Sequence, residues 1–235
     1  MPTNNSKTAK IISVTNQKGG VGKTTTTINL AAALSELEKK VLIIDLDPQG
    51  NASTGLGVEV ADRELSTYEF LVEGVPLEKV AMETEISGLS IVPATIDLSS
   101  ADIDLISNEK RSHLLHEALR KKQENKQKYD YILIDCPPSL NILTVNAMVA
   151  SHSVLIPLQS EFFALEGLSQ LLLTVKEVRQ NANENLRVEG IVLTMFDGRN
   201  NLSKQVEADA RSCLLYTSDA ADDTPCVDLG GRRII

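Results

Sequence analysis

Tryptophan is absent from this 235-residue chain, and aromatic residues make up only 3% of it. That leaves little material for the stacked-base platforms of single-strand nucleic-acid binders. Cysteine occurs three times, at Cys136, Cys213 and Cys226, too few and too scattered for a disulfide framework or a paired CxxC metal site. No apolar run approaches the roughly 18 residues of a membrane span, and the N-terminal stretch is polar, without a secretory hydrophobic region. We therefore expect no membrane and a cytoplasmic address. Basic residues are in deficit: 23 Lys and Arg stand against 32 Asp and Glu, for a net charge of −9. A globally basic nucleic-acid binder is excluded, and any DNA contact must come from a local patch that works through phosphates.

What remains is ordinary globular material, 42% hydrophobic and 23% charged, on a chain long enough to bury a sizeable core. Short β-branched runs alternate with longer helical stretches, the pattern of βαβ units around a parallel sheet. Strands are expected at 10–15, 41–45, 89–93, 131–135, 153–157 and 188–194. Most are apolar on successive residues, as befits a sheet covered on both faces. Helices are expected at 23–39, 97–107, 111–125, 140–150, 165–181 and 202–212. The stretch 50–57, rich in Gly, Asn and Ser, reads as a long functional loop. The fold class is α/β, a doubly wound, mostly parallel sheet. We expect residues 1–9 to form a flexible arm and 10–212 one domain.

Residues 213–235, CLLYTSDAADDTPCVDLGGRRII, have no clear period where a doubly wound sheet would continue. They resemble the in-frame translation of a transposon-based sequencing adapter. We therefore expect an artefact tail on a domain incomplete at its C-terminal end; the alternative is a genuine divergent tail.

Residues 17–25 read QKGGVGKTT, directly after a strand and before a helix, the context a phosphate-binding P-loop requires. Gly19, Gly20 and Gly22 let the backbone adopt conformations closed to residues with a Cβ. Successive N–H groups, including that of Val21, can then converge on phosphate oxygens at the positive end of the helix. Lys23 supplies a charge for the β and γ phosphates, the Thr24 hydroxyl can ligate Mg²⁺, and Thr25 reinforces the phosphate contact. Asp45 and Asp47 follow the second strand in VLIIDLDPQGN, and Asp135 ends the fourth in YDYILIDCPPSL. Carboxylates at the carboxyl ends of parallel strands face the ligand crevice. Asp135 has the form of a Walker B aspartate that holds Mg²⁺ directly or through water. Cys136 beside it reads as a small packed hydrophobe. His113, His116 and His152 show no ligand spacing.

The loop carries a further lysine, Lys18, ahead of its glycines, and this deviant Walker A form, KGGVGKTT, resembles the ParA/MinD group of P-loop ATPases. The likeness spans residues 11–211 and is closest to the ParA (Soj-like) partitioning branch, on Asn16 and Gln17, on DPQGN at 47–51 and on PLQSEFFALEGL at 157–168. The resemblance implies ATP and Mg²⁺ as cofactors and a catalytic set of Lys18, Lys23 and Asp47. Lys18 would reach across an ATP-dependent sandwich homodimer to the partner's nucleotide. Asp47 would orient the attacking water, since an ordinary aspartate is a weak base at neutral pH. Asp45 would support the Mg²⁺ region; either aspartate could instead merely cap the loop.

The resemblance further implies a ParB-like partner that stimulates hydrolysis and non-specific binding of double-stranded DNA at the nucleoid of a prokaryote. Arg199 and Lys204, in FDGRNNLSKQ, are the candidates for that contact, with solvated surface charge as the alternative. The lysine run Lys121, Lys122, Lys126 and Lys128 reads as wet surface. A MinD-like membrane ATPase and a nucleotide-binding fragment without a complete cycle are the competing readings. A nitrogenase-iron-protein reading fails because Cys136 alone does not supply the pair of cluster ligands each chain would need.

Overall fold

The computed structural model describes residues 8–104, 110–120, 128–161 and 164–218. Strand β1 (Lys10–Val14) leads through a glycine loop into helix α1 (Lys23–Glu36), then β2 (Val41–Asp45) and a short helix α2 (Asn51–Gly55). After a 3₁₀ turn at Val60–Asp62 and a π turn at Glu69–Glu73 come α3 (Leu77–Val80), β3 (Met82–Glu83) and β4 (Leu89–Val92). A second 3₁₀ turn, Ile96–Ser100, runs into α4 (Ala101–Asp104), followed by α5 (Leu114–Arg120) and β5 (Tyr131–Asp135). The chain continues through α6 (Ile142–Ala150), β6 (Ser153–Gln159), α7 (Ala164–Asn181), β7 (Arg187–Thr194) and α8 (Asn201–Ser218).

The sheet order is β3-β4-β2-β5-β1-β6-β7, parallel throughout except for β3 at one edge. All five residues of β2 are buried, and they divide by the two-residue period of a strand. Leu42 and Ile44 enter the core under one face, Val41 and Ile43 the core under the other. Burying each such side chain contributes roughly 1.5–3 kcal/mol, which is why the sheet survives a poor helix former in α1.

After Lys23 that helix carries four consecutive threonines, whose β-branches disfavour helix. Its buried stripe is Lys23, Thr27, Ala31 and Ser35, spaced every four residues and mostly small, so the helix lies close against the sheet. Thr27 and Ser35 return their hydroxyls to the carbonyls of Lys23 and Ala31 at 3.0 Å each. Helix α7 shows the ordinary amphipathic spacing, burying Ala164, Leu168, Leu171, Val175 and Val178.

Several boundaries differ from the sequence expectation. Helix α1 stops at Glu36 instead of residue 39 because Glu38 turns left-handed (φ 59°) and the Lys39 N–H closes back on the Leu34 carbonyl. The expected helix at 97–107 begins as 3₁₀, and its last three residues lie outside the described set, as do 121–125 of the expected helix at 111–125. The stretch 50–57 is not all loop, since α2 forms within it on Gly50 as a left-handed cap. Helix α8 runs to Ser218, six residues past the expected stop. Residues 1–7 of the expected arm, Lys121, Lys122 and Lys126 of the basic run, and 219–235 of the tail lie outside the described residues.

Candidate functional site

The ends of three neighbouring strands define the site. Register pairs Val14 with Asp135 and Asp45 with Asp135, so β1, β5 and β2 deliver the glycine loop and two aspartates to one edge. This is the carboxyl edge of a parallel sheet, where the first helix points its N-terminus at the crevice. Gly20 and Gly22 sit at φ 76° and 86°, left-handed conformations that side chains resist. At Gly22 a Cβ would also stand 3.3 Å from Thr194 Cγ2. Thr194, at the end of β7, donates its hydroxyl to the Val21 carbonyl at 2.8 Å and pins the loop from outside. Asn16 pins it from below, donating to the Pro157 carbonyl at 2.7 Å while its Oδ1 accepts from the Lys18 N–H at 3.0 Å.

Inside this frame the predicted residues converge. Lys23 is buried, and its ammonium donates to the Lys18 carbonyl at 2.8 Å. Burial lowers its pKa against the opposing pull of Asp135 and Asp47. The Thr24 hydroxyl donates to Asp135 Oδ2 at 2.7 Å, and Thr27 Oγ1 lies 3.1 Å from Oδ1. Asp135 is fully buried; loss of hydration and the neighbouring Asp45 raise its pKa to about 7. Asp45 is raised to about 6, again chiefly by burial, although it accepts from the Ser53 amide (2.9 Å), the Ser53 hydroxyl (2.7 Å) and the Asp47 amide (3.2 Å). Its carboxylate therefore faces α2 and organises the turn at Asp47. Asp47 begins that turn, its Oδ1 accepting from the Gln49 amide at 3.0 Å and its carbonyl from the Gly50 amide at 2.8 Å.

Lys18 stands at the rim, half-exposed and paired with Glu161 on the β6–α7 connection. Both residues line a cleft of about 260 Å³ with Asn16, Gln17 and Val21. Gly19, Gly20 and Thr25 are exposed on the loop and first turn. Arg199 sits on the exposed β7–α8 connection and Lys204 is exposed on the first turn of α8. Arg199 forks onto Asp197 at 3.0 Å through Nε and through its terminal nitrogen. Sequence reasoning missed Thr27, Ser53, Thr194 and Glu161. In the sequence Asn16 and Glu161 enter only through the family resemblance, and the polar residues nearest the aspartates carry no motif of their own.

The donor set fits Mg²⁺. Three buried carboxylates oppose one ammonium, an excess of negative charge that suits a divalent cation, and Thr24 with Asp135 offers hard oxygen ligands. Among the described residues no group of three or more His, Cys, Asp or Glu is spaced to cage a metal.

A family model described as AAA domain matches residues 9–188. Chromosome partitioning protein ParA of Caulobacter vibrioides is 51% identical over 203 residues, covering 86% of this chain and 76% of that protein. Sporulation initiation inhibitor protein Soj of Bacillus subtilis is 52% identical over 197 residues, covering 84% and 77%. Among solved structures, cobyrinic acid a,c-diamide synthase from Mycobacterium smegmatis with bound ATP analog and magnesium superposes with a TM-score of 0.81. It is 38% identical over 87% of this chain and 82% of that one. A plasmid partition protein from Borrelia burgdorferi bound to AMPPNP reaches 0.75 at 29% identity, over 87% and 81%.

Proposed function

The chain belongs to the ParA/Soj family of chromosome-partitioning ATPases, and on that premise we propose that it works as an ATP-gated homodimer acting on DNA. It is an ATPase that takes ATP with Mg²⁺. The membrane-associated alternative is set aside, because the relatives found are partition proteins. No helix among the described residues is long and apolar enough to cross a membrane.

In our reading the loop amides from Gly19 to Thr25 and the Lys23 ammonium hold the phosphates. Thr24 and Asp135 hold Mg²⁺, with Asp45 supporting that region through the Asp47 amide. When bound, the ion neutralises phosphate charge and polarises the transferring group. Asp47, fixed at the head of its turn, orients the water. Lys18 reaches a second subunit's nucleotide, where an added cation stabilises charge developing in the transition state, as an arginine finger does. The observation that carries this reading is the position of Lys18: it lies on the loop itself, yet at the rim of the site and half-exposed, free of the buried charge cluster that occupies Lys23.

The dimer, a ParB-like activator, and non-specific duplex binding at the nucleoid through Arg199 and Lys204 complete the proposed cycle, in the cytoplasm. Light scattering with a non-hydrolysable Mg·ATP analogue tests it. Wild type should dimerise; Lys18→Ala should bind nucleotide as a monomer. Duplex binding should need nucleotide and weaken steeply with salt. A wild-type chain that stays monomeric with bound nucleotide, or a Lys18→Ala chain that dimerises equally well, would refute the sandwich.

A further inference from the structure

We infer that Arg63 is a positioning residue for hydrolysis, a buried clasp that holds the Asp47 turn in register with the phosphate loop. The inference rests on the reading of Asp47 as the water-orienting carboxylate.

Arg63 follows the 3₁₀ turn Val60–Asp62 and is 7% exposed. A guanidinium so far from water ordinarily carries a carboxylate partner. Among the described residues none lies within ion-pair distance. Its donors address neutral oxygens on three separate segments instead. Nε and one terminal nitrogen fork onto the Val58 carbonyl at 3.3 and 2.7 Å. The same terminal nitrogen reaches Thr54 Oγ1 on α2 at 2.8 Å, and the other reaches the Ala94 carbonyl, two residues past β4, at 3.0 Å. One planar fork can satisfy all of these at once, which a lysine cannot.

What the fork encloses is Gly50. A Cβ there would stand 2.3 Å from the Arg63 guanidinium and 3.0 Å from the Ala94 carbonyl, and Gly50 is left-handed at φ 61°. Gly50 is also the residue whose amide closes the turn on the Asp47 carbonyl at 2.8 Å. Ser53 ties the other side, accepting from the Ala94 amide at 3.0 Å while donating to Asp45 at 2.7 Å. The clasp thus bears on the turn from beneath and touches neither Lys23 nor Thr24. Loosening it should move Asp47 and leave the phosphate cradle intact. A misplacement of about 1 Å at a reacting group can lower the rate by on the order of 100-fold.

Arg63→Lys keeps the charge and removes the fork. We expect its affinity for a fluorescent ATP analogue to stay within about twofold of wild type while kcat falls about tenfold or more. Hydrogen exchange should lose protection in peptides covering residues 47–58 and keep it in the central strands. Gly50→Ala attacks the same contact from the other side and should reproduce the split between affinity and rate. Unchanged kcat, affinity and rate falling together, exchange uniform across the chain, or an Arg63→Lys chain that does not fold would each overturn the clasp. Because exchange is read without nucleotide, an inactive wild-type chain would refute the proposed function while the clasp is still tested by protection at 47–58.

Discussion

Lys23→Met separates the two parts Lys23 plays, because it keeps the apolar stem and deletes the ammonium. Lys23 is 6% exposed, and its ammonium bonds a single carbonyl. Its pKa lies below the ordinary value because lost hydration outweighs attraction from Asp135 and Asp47. The folded chain therefore holds the lysine proton less tightly than the unfolded chain does, and below both pKa values the charge lowers stability. Deleting it should leave the melting temperature unchanged or raise it, at about 2–4 °C per kcal/mol for a domain of this size. Nucleotide binding should respond in the opposite sense. Truncating one partner of a buried, hydrogen-bonded charge pair costs about 2–5 kcal/mol, which corresponds to a dissociation constant about 30- to 4,000-fold weaker. Titration calorimetry with a non-hydrolysable Mg·ATP analogue and a melt without nucleotide measure the two effects on one preparation. Wild-type affinity would refute the phosphate cradle, and a melting point lower by about 10 °C or more would show that Lys23 holds the fold together instead.

Three further outcomes follow from individual contacts. Thr24→Val should bind ATP in Mg²⁺ no more tightly than wild type does in EDTA, because the hydroxyl against Asp135 is the proposed ligand; retained Mg²⁺ dependence in calorimetry would place the ion elsewhere. Ser53→Ala removes a hydroxyl bond to the Asp45 carboxylate, worth about 1.5–3 kcal/mol. It should lower the melting point by about 3–12 °C and raise the Asp45 pKa further above its value of about 6. His152 has its pKa lowered by burial and by Arg187, Arg120 and Lys10 nearby, while its Nδ1 accepts from the Ile11 amide at 2.9 Å. A lowered histidine pKa gives stability that is full above the unfolded value near 6.5 and is lost as pH falls through it toward the folded value. Asp45 and Asp135, raised, act in the opposite direction, gaining stability as pH falls. The urea midpoint of wild type minus that of His152→Asn should therefore shrink from pH 8 to pH 5.5, and a constant difference would remove His152 from the account.

The phosphate loop was legible because its chemistry is local. Glycines that permit left-handed backbone, a lysine and a hydroxyl lie within nine consecutive residues, and the flanking strand and helix follow from periodicity alone. The α/β class and the buried strands were legible for the same reason, and β2 and β5 fall at the residues that hydrophobic patterning indicates. Helix α2 was hidden because its residues favour loops. It forms because its Ser53 is bonded to Asp45 and its Thr54 to Arg63, two partners that helix propensity does not count.

Tertiary structure decided which polar side chains meet. Thr24 and Asp135 are 111 residues apart and Thr194 and Val21 are 173 apart, and both pairs join because parallel strands bring distant carboxyl ends to one edge. It also turned the Asp45 carboxylate inward toward α2, set Lys18 against Glu161 at the rim, and sealed Arg63 beneath Gly50. Local sequence specifies which backbone conformations are open. Burial and packing of remote segments then determine which charges lose water, and so which residues bind, orient or merely hold.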